Sequence, residues 1–352
     1  MSVAAAWSRA GLDAWADLQR RASKSFDVLH PHQAPAPRWA TEGRTQALAD
    51  SVHLRSYGEQ GADSPAVLVV TPQVNHSYIA DFAPDQSLVR CLLASGITRV
   101  GVTDWQPPPD RPYGISDSIE DILHCLDSLG GAVHLVGLCQ GGWQSAITAA
   151  LHPERVASLT IAAAPIDAHA GQTALHAFSL GLPLGFFEGA VAAGGGRASG
   201  RMLAAGFDLL RPFERFVFTP SSLFWNADDP QFLGRFEALR NWYRLNKDIA
   251  GELYLEVVRD LFQRNLLVQN KLELAGRRVH LPDIRCPVRL LAGSRDHITP
   301  PEQVWALERH LQPGQSRRWL VDAGHIGVFA GRGALRSAWP EIAASWGELR
   351  SA

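Results

Sequence analysis

The stretch Gly137-Leu138-Cys139-Gln140-Gly141-Gly142 constrains this chain more than any other. The apolar run Ala132 to Val136 precedes it, and Trp143 to Leu151 follows as a helical pattern stopped by Pro153. A strand that turns at once into a helix holds the turning residue in a strained backbone conformation, and glycines must flank it because a Cβ there would clash. The side chain at the turn then stands clear at a helix N-terminus. Serine is the usual occupant; here it is Cys139. A cysteine changes the chemistry, because a thiolate is a strong nucleophile, its formation is favoured at a helix N-terminus beside a histidine, and its acyl adduct is a thioester. Taken alone, the same turn would also suit a buried thiol with no chemical part.

At 352 residues and 46% hydrophobic content the chain can bury one large core with a sizeable insertion. A formal net charge of -2 leaves no electrostatic footprint for nucleic acid or an anionic membrane. The cysteines at 91, 125, 139 and 286 have neither metal-ligand spacing nor the density of a disulfide framework, so no metal and a reducing compartment are expected. Met1 to Ala14 lacks a basic cluster followed by a long apolar core, and no run is long and apolar enough to span a bilayer. The expected location is the cytosol.

Val3 to Ser25 has a helical pattern that places Trp7, Gly11, Trp15 and Leu18 near one face and gathers Arg20, Arg21 and Lys24 at its end. The simplest expectation is a helix packed through its two tryptophans. The prolines at 31, 35 and 37 mark a linker. Beyond it, short apolar runs alternate with helical patterns: Val52 to Tyr57, Ala66 to Thr71, Thr98 to Thr103, Ala132 to Val136, Val156 to Ala163, Val288 to Ala292 and Arg318 to Val321. That alternation predicts a mostly parallel sheet covered by helices on both faces. Ser87 caps a predicted helix stopped by Gly96, and Asp117 with Glu120 reads as a capping box for the next; Cys91 and Cys125 fall on these helices as small core residues. Between about Ala168 and Val279 the strand signals cease, which predicts a helical insertion lying over the sheet's carboxyl ends; Gly194-Gly195-Gly196 reads as a flexible turn inside it.

Two further motifs follow the insertion. Leu290 to Gly293 runs as a strand into Ser294-Arg295-Asp296, and Trp319 to Val321 runs into Asp322-Ala323-Gly324-His325. The order nucleophile, acid, histidine, each just beyond a strand, is that of α/β-hydrolases, in which the three groups meet at the sheet's carboxyl edge. Imidazole titrates near neutrality, so His325 can take the Cys139 proton and return one later, while Asp296 fixes its tautomer. His297 and Asp322 compete for these roles; Asp322 is too near His325 in sequence to orient it without a tight turn. An oxyanion needs donors, and the backbone N–H of Gln140 is one by position. The second is expected from the loop Thr71-Pro72-Gln73-Val74-Asn75-His76, at Val74, with Pro72 setting the turn and Asn75 pinning it.

At these residues the sequence resembles a known group. Thr71 to Asn75, Tyr78-Ile79-Ala80-Asp81-Phe82, Ser87-Leu88-Val89-Arg90 and Thr103-Asp104-Trp105 are similar to the catalytic domain of polyhydroxyalkanoate synthases. Gly137 to Gly142 is similar to their cysteine-containing lipase-like box, Leu281 to Pro287 to the run before their acid, and Asp296-His297-Ile298 and Gly324-His325-Ile326 to their acid and base motifs. The likeness covers roughly residues 50 to 165 and 250 to 335. It implies an α/β-hydrolase fold with a helical cap insertion, divided as an N-terminal helix and linker (1–38), a first core part (39–167), the cap (168–280) and a second core part (281–352). It also implies a growing 3-hydroxyacyl chain held as a thioester on Cys139, with Asp296 and His325 as partners and no cofactor beyond a coenzyme A thioester substrate. Departures are His76, where many synthases have lysine, and Leu223 to Pro230, which only partly matches the cap pattern. The run Gly324 to Gly331 also resembles intracellular polyhydroxyalkanoate depolymerases. A synthase-like acyltransferase is therefore the leading expectation, an ester or thioester hydrolase using the same residues the alternative, and a non-catalytic granule-associated relative the third. The precedent leaves room for a granule surface, self-association or a partner subunit.

Overall fold

The computed structural model describes residues 3–29, 38–59, 66–210 and 219–347. They form two compact units, one comprising residues 38–200 and 247–352 and the other residues 1–37 and 201–246.

The larger unit is built on an eight-stranded sheet: β1 (Arg44–Ala47), β2 (Val52–Gly58), β3 (Val67–Val70), β4 (Arg99–Trp105), β5 (Val133–Leu138), β6 (Val156–Ala162), β7 (Val288–Gly293) and β8 (Ser316–Val321). The spatial order is β1-β2-β4-β3-β5-β6-β7-β8. All pairings from β4 to β8 are parallel, while β1 with β2 and β2 with β4 are antiparallel. All seven expected strands are present. The one strand of this sheet not foreseen is β1, whose four residues are all exposed and so carry no alternation to read. Only four residues separate it from β2, too few for a parallel crossover. Inside the segment expected to be helical, Arg197–Ala198 pairs with Ile249–Ala250 and Glu273–Leu274 with Arg277–Arg278, strands of two residues that are too short to show a period.

The central strands β3, β5 and β7 are buried along their whole length, as strands covered on both faces must be. Trp105, Trp143, Trp339 and Trp346 are among the largest fully buried side chains of the layers around them. Ser87 caps helix Leu88–Ala94 by accepting the Arg90 N–H at 2.9 Å. The next helix, Ile115–Leu129, starts at Gly114 rather than at Asp117. Asp117 sits one turn in and reaches back to accept the Gly114 N–H at 2.9 Å, because a side chain three residues past the cap is what can satisfy that otherwise unpaired donor. Asp81, within the Tyr78 to Phe82 motif, is fully buried and accepts from the Thr41 N–H (2.8 Å), the Thr41 hydroxyl (2.9 Å) and the Ser87 hydroxyl (2.6 Å). That motif residue holds the fold together.

The segment 168–280 divides between the units, with only 201–246 joining the N-terminal helix Val3–Leu29. Within that unit Asp228 pairs with the first helix: Arg21 and Lys24 reach it at 2.7 and 3.2 Å, and Arg20 at 3.4 Å. Its neighbour Asp229 caps helix Pro230–Arg244 through the N–H groups of Gln231 and Phe232. Of the two tryptophans expected to pack, Trp15 is 61% exposed and the side chain of Trp7 lies outside those described. The proposed linker at 30–37 also lies outside the described residues. Within the larger unit, Gly194 to Gly196 forms a turn after helix Leu184–Ala193, with Gly195 and Gly196 at positive φ. No single described helix is long and apolar enough to cross a membrane.

Candidate active site

Strands β3, β5, β7 and β8 run parallel, so the loops after them open at one edge of the sheet, and each delivers one expected residue there. After β5 the backbone reverses at Cys139, which takes φ 52° and ψ −117° before helix Gln140–Leu151 begins. A left-handed conformation at a residue with a side chain is strained, and close packing enforces it. A Cβ on Gly141 would overlap the Val70 carbonyl of β3, one on Gly142 the Ala164 methyl, and one on Gly137 the start of the helix itself. The Cys139 N–H donates to the Ala162 carbonyl at 2.9 Å and its carbonyl accepts from Gly142 at 2.8 Å, so both ends of the turn are fixed. The Cys139 side chain is left partly exposed at the helix N-terminus.

His325, on the loop after β8, is buried against the edge of Phe329, with ring centroids 5.9 Å apart. Its Nδ1 lies 2.8 Å from Asp296 Oδ2. Asp296 is fully enclosed; Oδ1 accepts from the N–H groups of Ile298 (2.9 Å) and Thr299 (3.0 Å), and Oδ2 also accepts from the Thr299 hydroxyl (2.9 Å). Burial alone would push the Asp296 carboxyl up, but the His325 charge and these hydrogen bonds outweigh it and hold the group below its ordinary value. Burial likewise works to lower His325, yet the adjacent negative groups of Cys139 and Asp296, each with a hydrogen bond to the ring, raise it well above an ordinary histidine. Asp296 and His325 therefore form a buried, hydrogen-bonded pair at the sheet edge to which the turn after β5 also brings Cys139. Asp322 is not part of it: it is 82% exposed and pairs with Arg295 at 2.7 Å. His297 is half-buried beside Asp296.

The loop after β3 comes down beside Cys139. Thr71 anchors its start, donating its N–H to the Thr103 hydroxyl (3.0 Å) and its hydroxyl to the Thr103 carbonyl (2.9 Å), while Trp105 Nε1 donates to the Thr71 carbonyl (2.7 Å). The Gln73 N–H is occupied by Gln140 Oε1 at 2.9 Å. The Val74 N–H makes no hydrogen bond among the described residues. Asn75 is buried in the same loop.

Sequence reasoning did not find Thr299, Gln73, Gln144, Tyr113 or Asp121. Gln73 Oε1 accepts from Gln140 Nε2 (3.0 Å) and Gln144 Nε2 (2.9 Å); Gln73 Nε2 donates to the Tyr113 hydroxyl (3.1 Å), which donates to Asp121 Oδ2 (2.6 Å). Only the four-residue spacing of Gln140 and Gln144, which puts both amides on one helix face, was readable beforehand.

The chain as folded matches solved α/β-hydrolases: an enol-lactonase from Burkholderia xenovorans LB400 covers 87% of this chain and is covered over 100% of its own, with a TM-score of 0.53 and 17% identity. Strand order, elbow and this likeness together define an α/β-hydrolase fold. Among curated proteins, a poly(3-hydroxyalkanoate) polymerase subunit PhaC from Haloferax mediterranei is 31% identical over 85% of this chain and 62% of its own length. One of the same name from Allochromatium vinosum is 29% identical over 82% of each chain. The chain thus spans less than two thirds of the Haloferax protein. It belongs to the family described as "Protein of unknown function (DUF3141)", which matches residues 120–312, and over most of its length it is similar to proteins named poly(3-hydroxyalkanoate) polymerase subunit PhaC.

Proposed function

We propose that the protein is a polyhydroxyalkanoate synthase-like acyltransferase that carries a 3-hydroxyacyl group as a thioester on Cys139. The observation that carries this reading is the buried Asp296–His325 pair, joined at 2.8 Å, at the sheet edge where Cys139 stands partly exposed in a strained backbone position at a helix N-terminus. The names of the curated relatives support the substrate class.

In the proposed sequence the Cys139 thiolate adds to the carbonyl of a 3-hydroxyacyl coenzyme A, giving a tetrahedral oxyanion that the N–H groups of Gln140 and Val74 receive. The oxyanion collapses, the C–S bond to coenzyme A breaks, and the proton on His325 goes to the leaving thiolate. His325 then takes the proton of the 3-hydroxyl of an incoming 3-hydroxyacyl coenzyme A, whose oxygen attacks the enzyme thioester. The ester bond forms as the C–S bond to Cys139 breaks, which restores the thiolate and leaves the lengthened chain as a coenzyme A thioester that can acylate Cys139 again. Exchange of one thioester for another is nearly thermoneutral, so the acyl group stays activated. A serine ester would lose that drive, which is a reason for cysteine at the elbow.

The test is coenzyme A release from 3-hydroxybutyryl coenzyme A, with Cys139→Ala as the blank and the acyl product analysed in the same tube. The expected result is thiol release with accumulating oligoester. Release with free 3-hydroxybutyrate alone would replace acyl transfer by hydrolysis, and no release above the blank would remove this substrate class.

A further inference from the structure

The buried amides between the Thr71 loop and the elbow helix have no role in the proton transfers above. Their orientation is nevertheless fully determined. A backbone N–H can only donate, so the Gln73 N–H obliges Gln140 to present Oε1 to it, which turns Gln140 Nε2 toward Gln73 Oε1. Gln144 Nε2 donates to the same oxygen, filling both of its lone-pair directions. Gln73 Nε2 is thereby aimed at Tyr113, and the phenol hydrogen is aimed at Asp121. Burial, followed by the charge of Asp121, pushes the Tyr113 phenol up, so it remains a donor. The series has one direction from end to end. All five side chains are buried.

Gln140 supplies one expected oxyanion donor from its backbone, and its side chain grips the residue immediately before the other expected donor, Val74. We propose that Gln140 and Gln73 are positioning residues whose reciprocal pair of hydrogen bonds sets the separation of the Gln140 and Val74 N–H groups across the oxyanion hole. Gln144, Tyr113 and Asp121 hold Gln73 in the orientation the pair requires. Donors to an oxyanion act only within a few tenths of an ångström of the right distance, and each is worth about 10²- to 10³-fold in rate. A clamp of this kind would therefore show in acylation. The inference rests on the reading of Cys139 as an acylated nucleophile.

The test compares two reactions of the same thiolate. Iodoacetamide alkylates it: the C–S bond forms as the C–I bond breaks and iodide leaves, and no oxyanion arises. p-Nitrophenyl butyrate acylates it through a tetrahedral oxyanion that expels p-nitrophenolate, read as a burst. Gln140→Met and Gln73→Met keep side-chain length and lose the hydrogen bonds. Each is expected to lower the ratio of acylation to alkylation rate by about 10- to 100-fold. The double variant should be little worse than either single one, because both remove the same pair. If the methionine forms do not fold, Gln140→Glu carries the test; it keeps the acceptor for the Gln73 N–H and loses the donor to Gln73 Oε1, and a smaller fall in the ratio is expected. A ratio unchanged within about twofold in the folded variants would overturn the clamp and leave the acyl-enzyme standing. A wild-type protein that is alkylated at Cys139 but gives no burst would overturn the acyl-enzyme reading, and the clamp with it.

Discussion

Replacing Asp296 with asparagine leaves the shape of the site almost unchanged and reverses the two hydrogen bonds at Oδ2, to His325 and to the Thr299 hydroxyl. Oδ1 of the new amide can still accept from Ile298 and Thr299, which presently donate at 2.9 and 3.0 Å. Its Nδ2 then faces His325 Nδ1, where a carboxylate oxygen now lies at 2.8 Å. Two donors cannot share that gap, so the imidazole must turn its Nδ1 lone pair to the amide and carry its proton on Nε2, the wrong tautomer for a base. The imidazolium also loses its buried counter-charge. A hydrogen bond to a charged group is worth about 1.5–3 kcal/mol net, which at about 1.4 kcal/mol per decade is a roughly 10- to 150-fold loss of turnover, to which the tautomer adds. KM should change little, since no group touching substrate is altered. The assay is steady-state turnover with p-nitrophenyl butyrate, with thermal unfolding as the control for folding. Turnover within about twofold of wild type at neutral pH, or an Asp322→Asn variant that is the more damaged, would refute the assignment.

The same pair fixes a pH dependence. Asp296 is held below its ordinary value in the fold, so its contribution to stability is present above the unfolded carboxylate pKa, about 3.9, and fades as pH falls through the lower folded value. His325 is raised, so its contribution is complete below about 6.5 and fades as pH rises through the higher folded value. The difference in Tm between wild type and Asp296→Asn should thus be largest near pH 5–6 and shrink on acidification below about 4; a constant difference would contradict the pairing. Asp81→Ala should cost about 2–4 kcal/mol, because it strands the half-buried Thr41 N–H and hydroxyl and the buried Ser87 hydroxyl, while activity per folded molecule is retained. Lost activity at an unchanged Tm would place Asp81 in the chemistry instead. Gly141→Ala drives a methyl into the Val70 carbonyl and should lower Tm and soluble yield together; a variant of normal stability would show the elbow to be looser than drawn.

Much of this arrangement was legible because it depends on short-range pattern. The run ending at Val136, the glycines around Cys139 and the helix stopped before Pro153 report a local geometry, and the chain order of Cys139, Asp296 and His325 carries over because parallel strands open their loops on one edge. What stayed hidden depends on which loops meet. Nothing in the sequence links Gln73 to Gln140, 67 positions away, or selects Thr299 from the residues after Asp296. The exposed Arg44–Ala47 strand has no hydrophobic period to detect. The pairing of Asp228 with Arg21 and Lys24 of the first helix, the latter 204 positions away, is likewise a contact between charged side chains that composition cannot reveal. Asp117 reads as the cap of the right helix but is its N3 residue, three positions past Gly114, since an N3 carboxylate and an N-cap look alike when the capping residue is a glycine.

The most direct test of the account is the covalent state of Cys139 after brief mixing with 3-hydroxybutyryl coenzyme A, read by mass spectrometry of the intact protein and of its peptides. The account predicts a 3-hydroxybutyryl group on the Cys139 peptide, removed by neutral hydroxylamine as a thioester is, and absent from Cys139→Ala. Coenzyme A released at full rate while Cys139 stays unmodified at every time point, or an adduct that persists in Cys139→Ala, would contradict it.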